Sequence, residues 1–158
     1  MSRALPDLEA TAALGELLAR TRPAHAVVWL SGDLGAGKST LARAMLRALG
    51  VTGTVRSPTY TLVERYPVVG GEAVHLDLYR LADAAELDFL GLDELDAVAC
   101  LWLVEWPERG AAHLPAPDLR LALAVAGSGR EAALQAASPA GEAWMQRIAS
   151  DGSGKAPS

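Results

Sequence analysis

The chain has 158 residues, a formal charge of −5 and 51% hydrophobic residues. That is enough apolar side chain for one packed domain and too much for a disordered chain, and the acidic balance excludes a general nucleic-acid binder that grips phosphates by bulk charge. Cys100 is the lone cysteine, which excludes an intrachain disulfide and suits a reducing compartment. In chain order, the opening Met1-Ser2-Arg3-Ala4-Leu5-Pro6-Asp7 lacks the long apolar segment of a signal peptide. Asp7 then serves as an N-cap for a helix with Leu14, Leu17 and Leu18 on one face, stopped by Pro23. Ala26 to Leu30 reads as a buried strand, followed by a glycine loop and an amphipathic helix to Leu49, closed by Gly50. Arg56-Ser57-Pro58-Thr59 reads as an exposed loop, because Pro58 forbids helix. Tyr60 to Tyr66 and Glu72 to Leu78 form a hairpin around residues 67–71. Asp83 to Glu86 resembles a capping box that opens a short helix through Phe89, and a second short helix holds Leu92 and Leu95. Cys100 to Val104 reads as a central strand, and Leu119, Leu121, Leu123 and Val125 alternate as a half-buried one. A weaker strand spans Arg130 to Gln135, and a last helix spans Ala140 to Ile148.

The expected fold is therefore an α/β sheet of the phosphate-loop type, with a mostly parallel core, antiparallel hairpins and flanking helices. Residues 1–149 read as a single domain and 150–158 as a disordered tail of small and polar residues. The longest apolar run, Ala97 to Val104, is too short to span a bilayer, so a soluble cytoplasmic protein without a membrane partner is expected.

Chemistry concentrates at Gly32-Asp33-Leu34-Gly35-Ala36-Gly37-Lys38-Ser39-Thr40, which fits the G-x-x-x-x-G-K-[ST] pattern between a strand and a helix. Glycines let the backbone bend around a polyphosphate, and free N–H groups at the helix start point at the anion. Lys38 adds a mobile positive charge, and Ser39 an oxygen for Mg²⁺. The chain has only two lysines, Lys38 and Lys155, against twelve arginines, so a lysine in the loop stands against the chain's habit. A compact ammonium slots between phosphate oxygens where a planar guanidinium is bulkier.

Ligands of such sheets gather at the carboxyl ends of the strands, and two acids stand there. Asp77 closes the strand Ala73 to Leu76, and Glu105 closes the strand Cys100 to Val104. Either carboxylate can hold Mg²⁺ or polarise an attacking water. Thr59, after the Ser57-Pro58 kink, is a candidate sensor of γ-phosphate and metal. His75 reads as a strand-surface residue, since no Cys or His partner sits at ligand spacing. His25 and His113 read as loop residues, and Cys100, Trp29, Trp102 and Trp144 as core. Trp106 lies at the expected ligand edge, and Arg80 either steadies a phosphate or pairs with a surface acid. The sequence contains no asparagine, so the Asn-Lys-x-Asp motif for guanine is absent and ATP is favoured.

Four blocks in order, the glycine loop, Ser57-Pro58-Thr59-Tyr60-Thr61-Leu62-Val63, His75-Leu76-Asp77-Leu78-Tyr79-Arg80-Leu81 and Leu103-Val104-Glu105-Trp106-Pro107-Glu108, resemble the TsaE (YjeE) family. These are small ATPases of bacterial tRNA threonylcarbamoyladenosine biosynthesis. The resemblance implies that Lys38 and Ser39, with Thr40, Asp33, Gly35, Ala36 and Gly37, bind ATP or ADP and Mg²⁺. It implies that Asp77 and Glu105 are needed for turnover, that Thr59 sits in a switch-like loop, and that Trp106, Thr11 and Arg130 lie next to the nucleotide. It also implies partnership with TsaD and TsaB, with tRNA reached only through that complex. Ser39 stands where many relatives have Thr, a change that keeps the hydroxyl. Two other activities fit the same residues: a small-molecule kinase, or a non-catalytic module that senses nucleotide and binds a partner.

Overall fold

Apolar runs such as Ala26–Leu30 and Ala99–Val104 need cover on both faces, and they become adjacent strands at the centre of one sheet. The structure, a computed structural model, describes residues 1–55 and 61–153. Its strands are β1 (Ser2–Leu5), β2 (Ala26–Ser31), β3 (Val63–Val68), β4 (Gly71–Asp77), β5 (Ala99–Glu105), β6 (Leu119–Ala126) and β7 (Gly129–Ala136), in the spatial order β1-β7-β6-β2-β5-β4-β3. Pairing is parallel from β6 through β2 and β5 to β4. It is antiparallel at β1/β7, β6/β7 and β3/β4, so the expected mixed sheet with a parallel centre is what forms.

Helices α1 (Leu8–Thr21), α2 (Lys38–Ala48) and α4 (Pro139–Ser153) cover one face of the sheet. They bury Leu14, Leu18, Leu41, Met45, Trp144 and Ile148 against Val28, Leu30, Leu101 and Leu103. Each fully buried Leu or Ile contributes roughly 1.5–3 kcal/mol. The contact between α1 and α2 is so close that a Cβ on Gly15 would stand 2.5 Å from the Ala44 methyl, so any larger residue pushes the helices apart. On the other face, α3 (Leu92–Val98) and the 3₁₀ turn Ala84–Phe89 bury Leu95 and Leu87 against Val74, Leu76, Trp102 and Val104.

Strand alternation then decides where the acids point. Leu101 and Leu103 face α1 and α2, as does Ala73, whereas Trp102, Val104, Val74 and Leu76 face away. Period two carries His75, Asp77 and Glu105 onto the first face, and the β4/β5 register sets Asp77 beside Glu105. Two carboxylates thus close neighbouring parallel strands beside the start of α2.

Several boundaries differ from the sequence reading. β1 was not expected, because four residues carry no pattern of their own. It exists through pairing with β7, where the Met1 ammonium donates to Leu134 O at 3.1 Å and Leu134 N donates to Met1 O at 2.7 Å. β3 runs through Pro67 to Val68, so the turn shrinks to Val69 and Gly70; β3 is an edge strand, where a missing N–H is tolerated. Residues Ser150–Ser153 belong to α4 and not to a tail, and the guanidinium of Arg20 clasps Asp151 there. Trp29 is only partly buried, its indole donating to Pro115 O at 3.2 Å. The N-cap of α1 is as expected: Asp7 accepts from Ala10 N at 2.8 Å. Among the described residues no helix is long and apolar enough to cross a membrane.

Candidate active site

Between β2 and α2 the chain folds back on itself over residues Gly32 to Gly37, with left-handed backbone at Gly35 (φ 80°) and Gly37 (φ 103°). At Gly32 the requirement is double. Its φ is 142°, and a Cβ would stand 2.3 Å from the Leu123 carbonyl oxygen on β6. Only glycine lets the loop leave the sheet there. Lys38, in the first turn of α2, turns back over this loop and donates from Nζ to Gly32 O at 2.6 Å and Asp33 O at 2.9 Å. The same ammonium lies 4.5 Å from the centre of the Trp106 ring. Burial pulls its pKa below the ordinary 10.5, while Glu105, Asp77, Glu108 and Asp33 pull the other way.

Across from the loop, Ser39 Oγ donates to both oxygens of Glu105, at 3.0 and 3.1 Å. Glu105 is 2% exposed and Asp77 6% exposed, so these are buried acids at strand ends rather than solvated ones. Asp77 accepts from Tyr79 N at 3.0 Å, which ties the end of β4 to the following turn. His75, itself 2% exposed, meets Glu105 Oε2 at 2.6 Å through Nε2. Among the described residues no cluster of three or more His, Cys, Asp or Glu forms a metal cage. The hard oxygen set of Ser39, Glu105 and Asp77 instead fits a small cation that takes its other ligands from phosphate and water, the habit of Mg²⁺.

Two clefts flank the loop. One, of about 580 Å³, is lined by Gly35, Gly37, Lys38, Ser39 and Thr40 and by Asp77, Glu105 and Trp106. The other, of about 460 Å³, shares Gly35, Gly37 and Thr40 and adds Leu5, Thr11 and Arg130. Trp106 is held in the left-handed region (φ 56°) just before Pro107, its N–H donating to Leu30 O at 3.3 Å. A non-glycine residue there is strained, by about 1–3 kcal/mol. That strain turns the indole over the cleft, 5.0 Å from the Tyr79 ring, with the Arg109 guanidinium 5.4 Å from Tyr79 and 5.9 Å from Trp106.

The family model described as threonylcarbamoyl adenosine biosynthesis protein TsaE matches residues 5–132. The chain belongs to the TsaE family. A tRNA threonylcarbamoyladenosine biosynthesis protein TsaE from Haemophilus influenzae is 48% identical over 105 residues, which span 66% of this chain and 66% of that relative. The TsaE protein of Bacillus subtilis is 37% identical over 119 residues, 75% of this chain and 74% of its own. A crystal structure of Bacillus subtilis YdiB superposes with a TM-score of 0.82 at 28% identity, covering 96% of this chain and 95% of that one.

Within this TsaE family member, the candidates from sequence divide into four groups. Gly35, Gly37, Lys38, Ser39, Thr40, Asp77, Glu105 and Trp106 come together at the first cleft, and Thr11 and Arg130 at the second. Asp33 and Ala36 line neither: Asp33 contributes its carbonyl to Lys38, and Ala36 is buried under the loop. Thr59 lies outside the described residues. His75 corrects the sequence reading, since it is not at a strand surface but buried against Glu105. A signal existed: in His75-Leu76-Asp77 the period of two puts the imidazole on the same face as the acid. Tyr79 and Arg109 were also missed, because their contacts with Trp106 depend on loops whose paths no periodicity encodes.

Proposed function

We propose that this TsaE protein binds ATP and hydrolyses it slowly with Mg²⁺, and that it does so as the partner of the TsaD–TsaB complex that forms threonylcarbamoyladenosine next to the tRNA anticodon. The observation that carries the ATPase reading is the convergence of Lys38, Ser39, Glu105 and Asp77 on the cleft at one end of the glycine loop. Lys38 and the loop amides bind the phosphates, and Lys38 leaves its carbonyl partners to do so. Ser39, Glu105 and Asp77 would hold Mg²⁺, which when bound neutralises charge on the β and γ oxygens. Glu105, half-released from Ser39, orients the attacking water, and Asp77 is the second candidate for that task. Trp106 and Tyr79 wall the cleft and keep bulk water from the reacting end. Thr11 and Arg130 contact the nucleoside side, and Thr59 is the candidate that responds to the γ-phosphate. Adenine is preferred because no asparagine is available for guanine recognition. ADP is the product, and tRNA is met only through the complex, in keeping with the net charge of −5.

Phosphate release from ATP tests this, measured on the full chain alone and with purified TsaD–TsaB. Expected is slow release that chelation of Mg²⁺ abolishes and that the complex accelerates about 10³-fold, the scale on which a docked partner acts in this chemistry. Nucleotide bound without release in either condition would make the protein a sensor, and label passed to an acceptor other than water would make it a kinase.

A further inference from the structure

Glu105 is gripped from two sides that do different work. Ser39 approaches from the cleft, where a nucleotide and its cation compete for the hydroxyl; His75 approaches from behind and does not line the cleft. An ionised carboxylate only accepts, so the imidazole donates from Nε2 across the 2.6 Å contact. Among the described residues the other ring nitrogen, Nδ1, is buried without a hydrogen-bond partner, which suits the neutral tautomer, whose Nδ1 is only a lone pair. Both side chains are 2–3% exposed, so no solvent replaces this bond if it is lost. His75 and Asp77 sit two residues apart on β4, so one strand supplies an acid of the site and the group that orients the other acid.

We infer that His75 is a positioning residue for ATP hydrolysis: its Nε2–H fixes the rotamer of Glu105 once Ser39 is drawn away. This rests on the ATPase reading above. A carboxylate with only Ser39 to hold it would swing when that hydroxyl turned to the cation. With His75 behind it, one oxygen stays anchored at the strand and the other stays free to face the cleft. The role is orientation, so it touches turnover and leaves nucleotide binding alone.

The test uses the full chain as wild type, His75→Leu, His75→Gln, Glu105→Gln and the His75→Leu/Glu105→Gln double variant. Wild-type phosphate release, and its loss in Glu105→Gln, first establish or sink the ATPase reading independently of His75. Given that, His75→Leu is expected to lower kcat about 10-fold to 100-fold, the usual cost of losing an orienting partner, with KM and ADP affinity within about twofold. His75→Gln, which keeps an N–H donor, is expected to recover most of the loss, and His75→Leu is expected to add nothing in the Glu105→Gln background. Equal losses in the Leu and Gln variants, or additive losses in the double variant, overturn the proposal. Should His75→Leu fail to fold, the imidazole N–H proton resonance of the wild type decides without turnover. It is expected far downfield, slow to exchange, and displaced in Glu105→Gln; a resonance indifferent to that change overturns the inference.

Discussion

The two clefts beside the glycine loop share three residues and little else. On the acid side, Lys38, Glu105 and Asp77 are almost wholly buried and bound to one another's surroundings through Ser39, His75 and backbone carbonyls. On the other side, Arg130 donates to Gly35 O at 3.0 Å and to Gly129 O at 2.8 Å, among Leu5, Pro6 and Leu8. Buried charges are expensive unless paired, so a fold that keeps them at one end of the loop has built that end for charge. The opposite end offers apolar contact, the Arg130 guanidinium and the Asp7 carboxylate that caps α1, enough to hold a ligand and too little to drive its chemistry. The contrast predicts that substitutions of the two acids change rate, and those across the loop change affinity.

The largest expected effect belongs to Glu105. Glu105→Gln keeps volume and one acceptor but loses the charge, and turnover should fall about 10²-fold to 10³-fold. Titration with a fluorescent ATP analogue should show retained binding. Comparable loss of rate in Arg130→Ala would break the contrast between the clefts. Gly32→Ala comes next and acts on both clefts at once, since the loop cannot leave β2 with a Cβ 2.3 Å from the Leu123 carbonyl. Expected is a loss of about 2–4 kcal/mol in urea unfolding, together with lost nucleotide binding.

That glycine also marks how far the sequence could be read. The loop, the strand before it and the helix after it were legible because closely spaced glycines between an apolar β-branched run and an amphipathic stretch mark a strand–loop–helix order. Asp77 and Glu105 were legible because a carboxylate after an apolar strand stands out. Their adjacency was not, because it depends on β4 pairing with β5, a register fixed between strands far apart in the chain. His75 was misjudged for the same reason: its partner Glu105 lies thirty residues on. β1 was invisible because its stability comes from β7, and the left-handed Trp106 because nothing in Trp-Pro announces a positive φ.

Arg130→Ala should be milder. Removing two bonds to carbonyls and the charge is expected to weaken nucleotide affinity about fivefold, near 1 kcal/mol. Saturating kcat should stay within about twofold of wild type. Isothermal titration with ADP, paired with phosphate release at saturating ATP, separates the two quantities. A fall in kcat with unchanged affinity would move Arg130 to the chemistry and dissolve the division of labour between the clefts.

The smallest effect, and the sharpest on the cost of the acid side, concerns the stability of the protein without nucleotide. Burial lowers the pKa of Lys38 below 10.5, so between that lowered value and 10.5 the unfolded chain binds more protons than the folded one. Stability contributed by this site therefore rises with pH through that window, and the penalty for the buried ammonium is full below it. Lys38→Met removes the charge but keeps most of the chain length, and at neutral pH it should be the more stable protein while nucleotide binding is lost. The advantage of the variant should shrink as pH approaches 10.5, where the wild-type ammonium can shed its proton. Urea unfolding of both proteins across that range measures it. If Lys38→Met is the less stable protein at neutral pH, the bonds to Gly32 O and Asp33 O outweigh the burial, and the lysine holds the glycine loop in shape.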